Sequence, residues 1–257
     1  ASMVNVIGRE PIVYDLPVVI PGARKFDLEG SFCDLNSTLV HAFPAEDQFT
    51  RQARKLGINA DSLVVVYDNQ GIYSAPRAWW MFQSMGHENT FVLDGGLPKW
   101  LAEERETASS LAQEPAASGN ITGTFKSGMV CGSGYVLKAL NAGQITAVDA
   151  RSPERFYGRA PEPREGVRRG HIPGSHNLPF AQVLNEHSFK SAEQLKLIFA
   201  RAMPANNLQT VFSCGSGITA CIILMAAVIA GNENNLLYDG SWADWGSNPA
   251  LPVATSE

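Results

Sequence analysis

The sequence predicts an α/β protein of two tandem domains, each a small, mostly parallel β-sheet flanked by helices. Its 257 residues suit two domains of roughly 100 to 150 residues each. An Ile-Pro-Gly turn occurs at residues 20–22 and again at residues 172–174, and Asp94 and Asp239 each begin an Asp-Gly pair with a tryptophan six positions beyond the aspartate. Because features repeated about 145 to 152 positions apart indicate duplication, we expect two copies of one domain.

Short apolar, β-branched runs alternate with longer helical stretches in both copies. Continuous apolar runs are typical of strands that are buried on both faces, and helices between them favour parallel pairing. The predicted strands are residues 63–67 and 90–93 in the first copy and residues 147–150, 211–213 and 236–238 in the second, with helices at residues 75–85 and 219–230.

The predicted domain boundaries follow from a stretch without periodicity. Residues 103–119 contain Ala-Ser-Ser, Gln-Glu-Pro and Ala-Ala-Ser-Gly, a composition typical of a linker. We therefore expect a first domain at residues 1–105, a linker at residues 106–128 and a second domain at residues 129–257.

Composition and charge exclude several classes of protein. Hydrophobic residues make up 45% and charged residues 18% of the chain, which excludes a disordered or fibrous protein. The longest nearly uncharged apolar run, residues 220–230, is shorter than the roughly 18 to 20 residues of a membrane span. A net charge of −5 without a basic block argues against nucleic acid, so the expected partner is a small molecule and not a membrane.

The four cysteines, Cys33, Cys131, Cys214 and Cys221, form no CxxC or Cys/His cluster. In a chain of this length they predict neither a disulfide framework nor a zinc site. A reducing compartment fits this pattern. The start also lacks the basic region and apolar core of a signal peptide, so we predict a cytoplasmic location.

The two copies differ at the end of one predicted strand, where the first has Asp68 and the second has Cys214. Ligands of open α/β sheets bind at this end of the strands. Gly215 and Gly217 would let successive N–H groups point toward one spot, and a helix beginning near Thr219 would add its positive end. These features favour a thiolate at neutral pH. The alternative is that Cys214 is an inert, buried apolar cysteine.

A cysteine loop of this kind also suggests a Cys-x5-Arg phosphatase. That chemistry needs an arginine six residues after the nucleophile, and this chain has Ala220 there. The loop is therefore better suited to accepting sulfur and passing it on.

Five stretches match one family: residues 74–80, 148–151, 162–174, 214–219 and 238–242. In them the chain resembles the rhodanese superfamily of sulfurtransferases, most specifically in the Cys-Gly-Ser-Gly-hydrophobic-Thr loop. The resemblance covers most of the chain and implies two tandem rhodanese-like domains, the first inactive and the second catalytic. Relatives that prefer thiosulfate carry basic residues in this loop and this chain has none, so the resemblance favours 3-mercaptopyruvate as the sulfur donor.

The resemblance also implies substrate-binding residues. Arg155 and Arg164 have the nine-residue spacing of two arginines that bind the substrate carboxylate and ketone, and a planar guanidinium can grip a carboxylate with two hydrogen bonds. Solvated surface arginines are the alternative. For Arg168 and Arg169 structural pairing is at least as plausible, and Asp149 is expected to hold an arginine in place. The backbone of the loop residues Gly215, Gly217, Ile218 and Thr219 would stabilise the charged sulfur.

A relay of serine, histidine and an acid is a further implication. Ser216 of the loop, His41 and Glu29 are the candidates, and together they would protonate the departing enolate or move a proton at the thiol. The alternatives are a turn serine, a loop histidine and a surface glutamate.

The first copy departs from relatives at its beginning. They carry a strand, a helix and Gly-His before the first Ile-Pro-Gly, whereas here residues 12–15 are followed almost at once by residues 17–20, and Val19 stands where the second copy has His171. We therefore expect altered packing in the first domain.

The expected reaction is transfer of sulfur from 3-mercaptopyruvate through a Cys214 persulfide to cyanide, a small thiol or reduced thioredoxin, with release of pyruvate and without a metal or organic cofactor. Thiosulfate as donor is one alternative. A persulfide carrier without turnover of its own is another. Cys221 is expected to face the core rather than to act as a redox partner of Cys214.

Overall fold

A computed structural model of the chain describes residues 1–3, 5–204 and 208–255. The chain folds into two compact units. The first unit comprises Ala1–Asn36, Phe43–Lys126 and Glu186–Phe189. The second comprises Ser37–Ala42, Ser127–Asn185 and Lys190–Glu257.

The stretch predicted as a linker, residues 106–128, is largely hydrogen-bonded to the first unit. Val19 and Ala108 exchange both backbone hydrogen bonds at 2.9 Å, and the Thr124 N–H donates to the Met85 carbonyl, also at 2.9 Å. The division between units falls between Lys126 and Ser127.

The described residues of the first unit form three helices and a short parallel sheet. Its elements are α1 (Glu46–Lys55), β1 (Val64–Val66), α2 (Ala75–Ser84), β2 (Thr90–Val92) and α3 (Gly96–Ala102). β1 and β2 pair in parallel, and the sheet has only these two strands among the described residues.

Each of the two longer helices in this unit buries apolar residues in the same core. α1 buries Phe49 and Ala53, one turn apart, and carries acidic residues in its first turn and basic ones in its last, which suits the helix dipole. α2 has a proline near its start and is buried along almost its whole length. The Phe49 and Phe82 rings meet edge to face, with their centroids 5.2 Å apart.

The second unit is a five-stranded, entirely parallel sheet with helices between its strands. The strand order is β3-β9-β8-β4-β5. Its elements are β3 (Val130–Cys131), α4 (Ser133–Asn141), β4 (Ile145–Asp149), α5 (Pro153–Phe156), β5 (His176–Asn177), β6 (Leu184–Asn185), α6 (Ala192–Ala202), β8 (Gln209–Ser213), α7 (Ala220–Ile229), β9 (Asn235–Tyr238) and α8 (Ser241–Trp245). The short strand β7 (Ser188–Phe189) lies between β6 and α6 in the chain but belongs to the first unit.

Local sequence explains the helices of this unit. Ser191 and Gln194 form a capping box at the start of α6, in which each side chain bonds the other residue's backbone. α7 consists of alanine, isoleucine, leucine and similar residues, and most of it is buried. In the part of the chain that the structure describes, no helix is long and apolar enough to cross a membrane.

The two sheets place equivalent residues in different surroundings. Val65 pairs with Phe91 in the first unit, and Val211 pairs with Leu236 at the matching positions of the second. Val211 and Leu236 are buried in one cluster with residues of α4, whereas Val65 and Phe91 are each 52% exposed. The first copy has no counterpart of α4 or β4 among its described residues, which leaves this face of its sheet open.

We expect Leu236→Ala to lower the free energy of unfolding by about 2 to 5 kcal/mol, because it leaves a cavity in a packed core. Phe91→Ala, at the equivalent position, should cost no more than about 1 kcal/mol, because the ring is half exposed. Urea denaturation of both variants measures the difference. Equal losses would contradict this account of the open face.

Candidate active site

The loop that begins with Cys214 lies at the carboxyl end of an inner strand. β8 pairs with β9 on one side and β4 on the other, and it ends at Ser213. Thr219 immediately precedes α7. The loop therefore joins a central strand to a buried helix, at the edge of the sheet where α/β proteins bind their ligands.

The two glycines of the loop serve different physical needs. Gly217 has φ +78°, a left-handed conformation that favours glycine. Gly215 does not adopt a positive φ, but a Cβ there would lie 3.1 Å from Nη2 of Arg155. Of these two glycines, Gly217 is the one whose backbone angle favours glycine, and Gly215 leaves space for the Arg155 guanidinium.

The matching loop of the first unit carries a buried carboxylate. Oδ2 of Asp68 accepts backbone N–H bonds from Tyr73, Ser74 and Ala75 at 2.8 to 3.0 Å, and Oδ1 accepts one from Gln70 at 2.9 Å. Burial raises the pKa of the Asp68 carboxyl, while the amides act in the opposite direction. In this unit the amides of the turn therefore converge on the side chain of Asp68.

The same backbone pattern recurs around Cys214. The Leu97 N–H donates to the Asp68 carbonyl at 3.1 Å, and the Trp242 N–H donates to the Cys214 carbonyl at 2.9 Å. In addition, the Cys214 N–H donates to Oγ of Ser241 at 3.1 Å. Cys214 itself is buried, with 2% of its surface exposed.

Two predicted arginines lie at this loop. Arg155, on α5, lies beside Gly215 and donates from Nε and Nη2 to the carboxylate of Glu162. Arg164 donates from Nη2 to Oγ of Ser216 at 3.4 Å. The nine-residue spacing therefore brings both guanidinium groups to the cysteine loop.

Arg155 belongs to a buried ionic network, of which the sequence predicted only the role of Asp149. Asp149 was expected to hold an arginine, and it binds Arg151 through both carboxylate oxygens at 2.7 to 3.1 Å. Nη1 of Arg151 lies 2.7 Å from Glu162, and its guanidinium lies 4.4 Å from the centroid of the Trp242 ring. Burial alone would lower the pKa of Arg151, but the two carboxylates raise it.

Glu162 was not predicted as a site residue. It contacts both Arg151 and Arg155 with a side chain that is 4% exposed. The one signal in the sequence was its position between the two predicted arginines.

Arg168 belongs to the framework, in line with the structural alternative. Its guanidinium donates to the carbonyls of Trp245, Gly246, Asn248 and Leu251 at distances of up to 3.0 Å. The neighbouring Arg169 is exposed.

Two members of the predicted relay lie together. Residues 37–42 belong to the second unit, and Nδ1 of His41 lies 3.1 Å from Oγ of Ser216. His41 has φ +58°, a left-handed angle that is uncommon outside glycine. Glu29 belongs to the first unit, so the geometry within the second unit covers only Ser216 and His41.

The other cysteines are free thiols. Cys221 is fully buried, and its Sγ lies 3.3 Å from the Gly217 carbonyl, where the thiol can donate to the loop backbone. Burial, with a smaller effect of Asp239, raises the pKa of the Cys131 thiol to about 12.

Comparison with known proteins identifies the family. The family model of the rhodanese-like domain matches residues 9–103 and 133–248. The chain belongs to the rhodanese family. The predicted fold, two tandem rhodanese-like domains with mostly parallel sheets and flanking helices, is confirmed.

Several relatives match most of the chain. It is 37% identical to the 3-mercaptopyruvate sulfurtransferase of Escherichia coli K12, over 91% of this chain and 82% of that protein. It is 38% identical to the mitochondrial thiosulfate/3-mercaptopyruvate sulfurtransferase 1 of Arabidopsis thaliana, over 97% of this chain and 71% of that protein. The crystal structure of SseA from Escherichia coli superposes with a TM-score of 0.78 at 35% identity, covering 88% of this chain and 83% of that one.

Proposed function

We propose that this protein is a sulfurtransferase that takes sulfur from 3-mercaptopyruvate onto Cys214 and passes it to a thiol or cyanide. The observation that carries the proposal is the placement of Arg155 and Arg164 beside the Cys214 loop. Their guanidinium groups suit a small 2-oxo acid, because each can hold a carboxylate or polarise a ketone. The names of the relatives support the same class of reaction.

In the first half-reaction, the Cys214 thiolate attacks the sulfur of 3-mercaptopyruvate. A sulfur–sulfur bond forms, and the carbon–sulfur bond breaks with its electron pair going to carbon. The leaving group is the pyruvate enolate, and Cys214 is left as a persulfide. Arg155 and Arg164 favour this step, because negative charge grows on the enolate as the bond breaks.

Proton transfer completes that half-reaction. The enolate carbon must gain a proton to become pyruvate. Ser216 lies within hydrogen-bond distance of His41, and histidine titrates near neutrality, so this pair is suited to deliver the proton. Glu29 is the acid we propose to complete the relay.

In the second half-reaction, an acceptor attacks the outer sulfur of the persulfide and the Cys214 thiolate leaves. Cyanide, a small thiol or reduced thioredoxin would serve as acceptor. Backbone amides of residues 215–219 are proposed to stabilise the charged sulfur, by analogy with the amides that bind the Asp68 carboxylate. The cytoplasm stays a prediction as the place where the protein acts.

Two alternatives remain in view. Thiosulfate as donor is favoured by the name of the Arabidopsis relative, which includes both donors. The absence of basic residues at positions 215–219 favours mercaptopyruvate. A carrier without turnover would not need two arginines at the loop.

A donor profile of the purified protein tests the proposal directly. With cyanide as acceptor, kcat/KM should be higher for 3-mercaptopyruvate than for thiosulfate. Cys214→Ser should abolish transfer from either donor, because the hydroxyl cannot form a persulfide. The reverse donor preference would support the thiosulfate alternative, and activity retained in Cys214→Ser would place the nucleophile elsewhere.

Substitution of Arg169 is a matched control for substitutions of the two arginines at the loop. Arg155→Ala and Arg164→Ala should each raise KM for 3-mercaptopyruvate by about ten- to hundredfold, because each removes a charge-assisted hydrogen bond to the substrate. Arg169→Ala removes the same charge from an exposed side chain and should leave KM unchanged. Steady-state kinetics with pyruvate detection measures all three, and an unchanged KM in both loop variants would remove their proposed role.

The relay predicts non-additive losses. His41→Ala and Ser216→Ala should each lower kcat by about a hundredfold, the usual scale of general acid–base catalysis. The double variant should be hardly slower than either single one, because both residues act on one proton. Multiplied losses in the double variant would mean that the two side chains act independently.

A further inference from the structure

Ser241 combines full burial with an unusual backbone conformation. It begins α8, is 0% exposed and has φ +50°. For a residue with a side chain, this left-handed backbone conformation is unfavourable in free energy. Such a residue is retained only where the surrounding structure requires the conformation, and strain of this kind concentrates at functional sites.

The first unit shows that the fold imposes this angle. Asp94-Gly95-Gly96 matches Asp239-Gly240-Ser241 in the repeat, and Gly96 has φ +49°. After each of these positions, the next backbone N–H donates to the carbonyl of an equivalent residue of the repeat, Asp68 in the first unit and Cys214 in the second. The first copy meets the requirement with glycine, the residue that adopts this angle at the lowest cost.

The serine hydroxyl makes two hydrogen bonds that glycine cannot make. Oγ of Ser241 accepts the Cys214 N–H at 3.1 Å and donates to the Tyr238 carbonyl at 2.9 Å. The neighbouring Trp242 N–H binds the Cys214 carbonyl at 2.9 Å. Two consecutive residues of α8 therefore hold both backbone groups of the cysteine.

We propose that Ser241 is a positioning residue for Cys214: its hydroxyl fixes the backbone of the nucleophile, and this is why a serine occupies a left-handed position that the duplicate fills with glycine. The inference rests on the proposed role of Cys214. Ser241 acts through the backbone of Cys214, so its effect should fall on the rate of the sulfur-transfer step rather than on substrate affinity.

Two substitutions separate strain from positioning. Ser241→Gly removes both hydrogen bonds but relieves the backbone, so its melting temperature should stay within a few degrees of the wild-type value. Ser241→Ala removes the bonds and keeps the strain, so its melting temperature should fall further. Both variants should lose roughly tenfold in kcat with KM changed by less than about twofold, because the buried Cys214 N–H loses its acceptor.

Glu104→Gly is the control for backbone relief alone. Glu104 is an exposed residue of the first unit with φ +52°, and this change should leave kcat unchanged. If Ser241 had a purely structural role, kcat would fall only in variants whose melting temperature also falls. A Ser241→Gly variant with a wild-type melting temperature and wild-type kcat would therefore overturn the proposal.

A donor-free measurement separates this inference from the proposed function. The rate of Cys214 alkylation by iodoacetamide, located by mass spectrometry, should differ between Ser241→Gly and the wild type, because the backbone that orients the buried thiol loses a hydrogen bond. If the wild-type protein transferred sulfur from neither donor, the proposed function would fail while this comparison still decided the role of Ser241. Equal alkylation rates would overturn the positioning role.

Discussion

The site depends on the hydrogen bonds that tie the end of β8 to the start of α8. Cys214 donates to Ser241 and accepts from Trp242, and the Ala243 N–H binds the Gly215 carbonyl at 2.8 Å. These bonds fix the first two loop residues from one side, and the Cys221 thiol lies against the Gly217 carbonyl from the other. A nucleophile must be held in one orientation to react efficiently, and these bonds would hold Cys214 in that way in the reaction we propose.

Duplication provides an internal comparison for this frame. The first copy keeps the turn, with Gly71 at φ +93° where the second has Gly217 at φ +78°, but it fills the turn with the Asp68 carboxylate. The carboxylate accepts four amides of the turn, and it provides no thiol. The same copy has an open sheet face where α4 packs in the second unit. The two copies therefore preserve one local backbone geometry although their surroundings differ.

Sequence alone predicted the features that depend on periodicity and on short motifs. The repeat and the alternation of apolar runs indicated the parallel α/β architecture. The resemblance to the rhodanese family implied that Arg155 and Arg164 bind the substrate, and both lie at the Cys214 loop. It did not predict Glu162, because the pairing of Glu162 with Arg151 and Arg155 arises from the path of an irregular segment that has no period. Nor did it distinguish the roles of Gly215 and Gly217, since one depends on a dihedral angle and the other on a neighbouring side chain.

The charged side chains at the Cys214 loop suit an anionic substrate. In one network, the negative charges of Asp149 and Glu162 balance the positive charges of Arg151 and Arg155. Arg164 makes its side-chain hydrogen bond to the neutral hydroxyl of Ser216, and it has no carboxylate partner among the described residues. The loop therefore keeps about one uncompensated positive charge beside the cysteine. In a largely buried site such a charge is weakly screened, so it would favour both a bound carboxylate and the enolate of the proposed reaction.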